Sequence, residues 1–218
     1  MRETMTENEA PRVVAIGDSL IYGRLDPERG GWIGLTRSWL EQEGPEGTAV
    51  FNLGIGGDTS VATYSRATVE LPPRTPNAVI VGAGTNDLRR IEGPGGSPEV
   101  DPETYANKMR DTLRAARRIG AVIAVAGLIP VDESKTLPHK GELWYTNEDV
   151  RHYDSILRAV ADGEGALYIN FAPAFSRGER SFELVRNELF VDGIHPGPAG
   201  HEAMFAVAQP TLRQWLGL

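Results

Sequence analysis

Five short apolar runs constrain this chain more than any other feature: Val13–Ile16, Ala49–Leu53, Ala78–Val81, Ala121–Leu128 and Ala166–Phe171. Each reads as a strand that is apolar on both faces, and such a strand must be covered on both. Between them lie stretches of helical spacing. Gly31–Glu43 repeats Trp32, Ile33, Leu35, Trp39 and Leu40 on one face and stops at Gly44-Pro45. Asp58 or Thr59 can cap a helix running through about Leu71. Asp101-Pro102-Glu103 starts a helix that turns Tyr105, Met109, Leu113 and Ala116 inward and ends near Gly120. Thr146 or Asn147 caps another, with Val150, Ile156, Leu157 and Val160 inward, and a last helix runs from about Ala199 to Trp215. Strands alternating with helices predict an α/β fold: a three-layer α/β/α arrangement around a five-stranded parallel sheet.

The 218 residues suit one domain, expected over residues 11–218, with Met1–Ala10 as a loose polar tail. Two connections are long: Ile129–Thr146, whose length points to a functional wall or lid, and Pro173–Val191, which reads as an irregular crossing. The net charge of −8 does not advertise nucleic-acid or anionic-membrane binding. With no cysteine there is no disulfide framework, thiol nucleophile or cysteine metal site. The N-terminus carries no apolar signal region and no run is long enough to span a bilayer, so the default expectation is a cytoplasmic protein.

Chemistry should collect where strands end. Gly17 stops the first strand, and Gly17-Asp18-Ser19 makes a polar bend. Ser19 fits two readings there, a cap for the next helix or a reactive hydroxyl at the edge where open α/β sheets bind ligands. A serine nucleophile needs a general base, usually a histidine oriented by a carboxylate. Of the four histidines, His139 lies in a polar loop, His152 inside a helix, and His201 near the start of the last helix, where solvent or packing roles suffice. His195 differs. Pro196 biases it to extended backbone, Gly193 permits a bend just before it, and Asp192 stands within local reach of its imidazole. Taken alone, Asp192–Pro196 is better explained as a cap and turn before the last helix. Gly56 and Gly57 offer unobstructed backbone N–H groups and Asn86 a side-chain amide, all suited to a negative oxygen. They could equally serve only their own turns.

Together, Gly17–Leu20 (GDSL), Asn52–Ser60 (NLGIGGDTS), Gly84–Asp87 (GTND) and Asp192–Pro196 (DGIHP) resemble the GDSL, or SGNH, hydrolase family, in the family's order and over nearly the whole chain. The resemblance implies a flavodoxin-like fold and a serine hydrolase. Ser19 would be the nucleophile, His195 the base and Asp192 its orienting partner. The oxyanion donors would be the Ser19 N–H, the Gly57 N–H and the Asn86 amide, with Gly57 preferred to Gly56 because it directly precedes Asp58-Thr59-Ser60. It implies no metal or organic cofactor, a small-molecule ester as substrate, and structural roles for Asp18 and Asp87. An acetyl- or short/medium-acyl esterase is the leading expectation, and an acyl-thioesterase or lysophospholipase the alternative. Residues Ile91–Val100 and Ile129–Thr146, with Trp144 and Tyr145, are expected to shape the acyl pocket.

Three other readings fit the sequence less well. A dinucleotide-binding turn starting at Gly54 fails because Thr59 stands where the third glycine belongs. A metal-dependent hydrolase using Asp192, His195 and His201 lacks a recognisable ligand spacing. An idle acyl- or sugar-binding relative would ordinarily have lost the serine or the histidine.

Overall fold

The computed structural model describes Met5, residues 9–176 and residues 182–218, with the side chains of 182–185 excepted. The elements run β1 (Arg12–Gly17), α1 (Ser19–Tyr22), α2 (Gly31–Glu43), β2 (Ala49–Gly54), α3 (Ser60–Glu70), β3 (Ala78–Gly82), α4 (Pro102–Arg118), β4 (Val122–Ala126), α5 (Glu133–Thr136), α6 (Asn147–Gly163), β5 (Leu167–Ile169), α7 (Phe182–Leu189) and α8 (Pro198–Trp215). The five strands form one parallel sheet in the order β2-β1-β3-β4-β5. The chain therefore reverses its direction of travel between β1 and β3. The crevice outside such a reversal is where sheets of this order take ligands.

The period-two geometry of a strand divides the core into two. Val13, Ala15, Ile80 and Ala124 face a layer built on α2 and α8, where Trp32, Leu40, Met204 and Leu212 are buried. Val14, Ile16, Val79, Val81, Ile123 and Val125 face α3, α4 and α6 and meet Ala67, Met109, Leu113 and Leu157. Burying one such aliphatic side chain contributes roughly 1.5–3 kcal/mol, so both faces of the sheet hold it in place. The expected caps are observed: Thr59 accepts from Ala62 N, Asp101 from Thr104 N and Thr146 from Asp149 N.

Two connections differ from expectation. Pro173–Val191 is not irregular throughout, because α7 occupies Phe182–Leu189; residues 177–181 of that stretch lie outside the described residues. Ile129–Thr146 contains α5 and a tight reversal in which His139 and Leu143 pair across Lys140–Glu142. Of the expected tail, only Met5, Glu9 and Ala10 are described; Met5 is buried and its N–H donates to the Trp215 carbonyl.

Candidate active site

Ser19 sits two residues beyond β1, at the first position of the short α1 turn. Asp18 caps that turn, its carboxylate accepting from Leu20 N at 2.9 Å. Backbone N–H groups in a first helical turn have no intrahelical partner, which leaves the Ser19 N–H available to a bound oxygen. Gly17 is required just before it: a Cβ there would stand 1.8 Å from the Gly82 carbonyl oxygen of β3. The close approach lets the Asp18 N–H donate to that same oxygen, which fixes the bend between the two central strands.

His195 reaches Ser19 from the far end of the chain. Its Nε2 lies 2.9 Å from Ser19 Oγ, and its Nδ1 lies 2.8 Å from Asp192 Oδ2. The other Asp192 oxygen accepts from the backbone N–H groups of Ile194 and His195. Burial opposes the charge on Asp192, but the His195 side chain and backbone outweigh it and hold the carboxyl far below the usual carboxylate range. An ionised carboxylate only accepts, so the Nδ1 proton points at Asp192 and Nε2 is left with its lone pair toward the hydroxyl. Such a chain can draw a proton from the serine as its oxygen attacks.

Two loops complete the cleft. Gly56 and Gly57 follow β2, and Asn86 follows β3; with Ser19 and His195 they line an open cavity of about 260 Å³. A Cβ on Gly56 would stand 3.9 Å from Ser19 Cβ, while Gly57 takes φ +91° with open space around it. Asn86 Nδ2 donates to the Asp58 carbonyl at 2.9 Å, which orients the amide and leaves its second N–H free to point elsewhere. Asp87 accepts from both the N–H and the hydroxyl of Ser60, so consecutive residues of one loop grip the other. Beneath them, Arg66 of α3 donates to Asp58 Oδ2 at 2.7 Å, to the Leu53 carbonyl at 2.9 Å and to the Gly17 carbonyl at 3.1 Å. Sequence reasoning missed Arg66, which carries no local pattern to set it apart from a surface arginine.

The sequence-predicted residues Ser19, Gly57, Asn86, Asp192 and His195 thus meet in one place. The predicted walls fare unevenly. Ile129–Thr146 supplies His139, Lys140, Leu143 and Tyr145 to the cleft. Trp144 does not line it, and neither does any residue of Ile91–Val100. Trp144 instead exchanges backbone hydrogen bonds with Arg90, and Arg90 is ion-paired to Asp149 at 2.7 Å, so both segments are held against α6. Tyr145, the next residue along, is buried in the cleft wall, and that burial pushes its hydroxyl pKa up. Its backbone pairs with Thr136, whose hydroxyl donates to the Tyr145 carbonyl. The same segment meets the base loop: the Asp132 N–H donates to the Gly193 carbonyl at 2.8 Å, and a Cβ on Gly193 would stand 2.9 Å from both Lys135 Cβ and Thr136 Cγ2. His139, read as a loop residue, is 4% exposed, and burial pushes its imidazole down. His201 is fully buried, with Nδ1 facing Trp32 N–H at 3.4 Å and Nε2 facing the Arg24 carbonyl at 3.0 Å. Its ring nitrogens are therefore engaged away from Asp192 and His195. No group of three or more metal-ligating side chains occurs among the described residues.

The profile of the GDSL-like lipase/acylhydrolase family matches residues 15–203. The chain belongs to that family. It is an ester-bond hydrolase, built on the family's α/β fold. Its fold is similar to the crystal structure of TesA, with 25% identity, a TM-score of 0.71, and 94% of this chain and 99% of that one covered. It is also similar to a catalytic mutant of an acetylxylan esterase from Geobacillus stearothermophilus, at 18% identity and TM-score 0.75, covering 97% and 99%. A GDSL-like lipase from Bacteroides thetaiotaomicron VPI-5482 superposes with 18% identity and TM-score 0.70 over 94% and 88%. Among curated protein sequences none matches. Among the described residues no helix is long and apolar enough to cross a membrane.

Proposed function

We propose that this hydrolase cleaves carboxylic esters through a serine acyl-enzyme, with Ser19 as nucleophile, His195 as general base and Asp192 as its orienting partner. The observation that carries the reading is the continuous hydrogen-bonded chain from Ser19 Oγ through the His195 ring to Asp192. As Ser19 Oγ bonds to the ester carbonyl carbon, its proton passes to His195 Nε2, and Asp192 stabilises the imidazolium. The oxygen of the tetrahedral intermediate then takes hydrogen bonds from the Ser19 N–H, the Gly57 N–H and the free N–H of Asn86. His195 returns the proton to the departing alcohol. Water, activated by the same imidazole, releases the acid and restores the serine.

Support for the donors comes from three loops opening on one cleft. Gly57 is chosen over Gly56 on the family resemblance, and both line the cavity. The leaving group is an alcohol in this reading; a thioester, which expels a thiol, or a lysophospholipid, which expels a glycerophosphodiester alcohol, would pass through the same steps. Residues 11–218 act as one hydrolase domain, and the reaction calls on no cofactor.

The test is a fluorophosphonate probe followed by peptide mapping. The expected adduct lies on Ser19, disappears in Ser19→Ala, and forms far more slowly in His195→Ala. Absence of an adduct on the folded, unmodified protein would overturn the proposal.

A further inference from the structure

The cleft beside Ser19 has a charge opposite to that of the chain. The molecule carries 30 acidic against 22 basic side chains, a net charge of −8. Yet Arg24, Arg89 and Lys140 all line the cavity, and among the described residues no aspartate or glutamate does. The Asp192 carboxylate, behind His195, is engaged by the imidazole. Arg24 and Lys140 are exposed and make no ion pair among the described residues. Arg89 lies deeper, paired with Glu99 at 3.4 Å, and its buried Nε has no hydrogen-bond partner among the described residues.

The backbone fixes where two of these cations start. The Arg24 N–H donates to the Ser19 carbonyl and the Arg24 carbonyl accepts from His201, so this arginine is anchored within one turn of the proposed nucleophile. Lys140 takes φ +51°, a left-handed conformation that glycine would adopt freely and a long side chain adopts only under constraint. It holds that place at the tip of the reversal closed by His139 and Leu143, above the cleft. Two exposed cations that line one cleft beside Ser19, neither ion-paired among the described residues, form a seat for an anion.

We infer that Arg24, Lys140 and Arg89 make an anion subsite, and that the preferred substrates are esters carrying a carboxylate or phosphate group close to the scissile bond. The inference rests on the serine-esterase reading and adds the substrate class to it. Arginine binds either group in a fork and lysine as a point charge, so the chemistry recognised is a compact oxyanion group. It can belong to the acyl part or to the alcohol. An exposed cation a few ångströms from such a group contributes about a factor of ten in affinity at low salt.

Two matched ester pairs separate the possibilities. 4-Nitrophenyl hydrogen succinate against 4-nitrophenyl butanoate places the anion on the acyl side. 2-Acetoxyethyl phosphate against 2-methoxyethyl acetate places it on the alcohol side. The expected result is a kcat/KM about tenfold or more higher for the anionic member of at least one pair at low ionic strength. That ratio falls several-fold in 0.5 M sodium chloride and at least fivefold in the Arg24→Gln, Lys140→Gln double variant. Each ratio is taken within one protein preparation, and the salt titration needs no variant. Equal rates within both pairs, or a preference insensitive to salt, would overturn the inference while leaving the esterase reading intact. No turnover of any of the four esters, together with no adduct on Ser19, removes both.

Discussion

Arg66 and Asp58 are joined by a 2.7 Å hydrogen bond between Nε and Oδ2, and through it α3 grips the loop that carries Gly57. The same guanidinium reaches the last carbonyl of β1 and the penultimate one of β2, so one side chain fixes the end of the serine strand and the approach to the glycine loop together. Arg66 touches no reacting atom; it is a positioning residue. Arg66→Gln is expected to lower kcat at least tenfold with KM changed less than threefold, and to lower Tm by several degrees. Losing a charged hydrogen-bond hub of this kind costs about 1.5–3 kcal/mol. Arg66→Lys should restore stability better than kcat, because an ammonium cannot hold three divergent acceptors in the guanidinium's plane. Stopped assays on 4-nitrophenyl acetate, with thermal melts, measure both; a pure KM effect would refute the positioning role.

Asn86 spends one amide hydrogen on the Asp58 carbonyl, and the other is the one proposed to meet the developing oxyanion. Asn86→Ala is expected to reduce kcat by about 10²–10³ with little change in KM, since the bond strengthens only as charge builds on the oxygen. Asn86→Asp, which fits the same space but cannot donate, should be at least as damaging. A loss confined to KM would mean that Asn86 binds substrate without stabilising the transition state.

Asp192, the proposed orienting partner, has its carboxyl held far below the usual range by His195 against the effect of burial. In Asp192→Asn the amide can donate to Nδ1, which turns the imidazole's only proton toward Ser19. The expected loss in kcat is about 10²–10⁴ with the fold retained. Because the His195 and Ile194 N–H groups can still bond to the amide oxygen, the melting temperature should move by no more than a few degrees. Single-turnover kinetics alongside a melt test this; near-normal acylation would exclude Asp192 as the orienting partner.

Burial also perturbs the two carboxyls that hold the loops, pushing Asp18 up to about 7 and Asp87 up to about 6. In the unfolded chain both titrate near 3.9. Between these values the folded protein binds more protons than the unfolded one, so their contribution is fully present at low pH and is lost as pH rises from about 4 through 7. The urea midpoint of the unmodified protein should therefore drop between pH 5 and pH 8. Asp18→Asn keeps an oxygen to accept from Leu20 N and has no charge to bury. It should flatten that drop, by on the order of 1–3 kcal/mol. An unchanged pH dependence would show that Asp18 is not held protonated.

The sequence exposes what is local. Strand interiors are continuous apolar runs, caps sit at fixed offsets from the helices they start, and Asp192 is three residues from His195, so each is readable within a short window. Ser19, Asn86 and the glycine pair could be placed on a common edge because parallel strands deliver their C-terminal loops to one side. The wall of the cleft was less legible. Trp144 and Tyr145 are neighbours in an extended segment, where successive side chains point to opposite sides. Only the pairing of Trp144 with Arg90 decides which of the two enters the cleft, and that contact is between loops remote in sequence. The loop at 91–100 turned away for the same reason, tethered by Arg90 to Asp149 on α6. The helix at Phe182–Leu189 spans only two turns, too short for periodicity to distinguish it from a loop.

Gly193 lies against Lys135 and Thr136 with no room for a side chain, and its carbonyl is held by Asp132. The segment that walls the cleft is therefore also the bench on which the proposed base, His195, is mounted. Grafting a different segment between residues 129 and 146 to change selectivity would reset the reach of His195 toward Ser19. A laboratory redesign of this enzyme would have to carry Asp132–Thr136 and Asp192–His195 across as a single cassette.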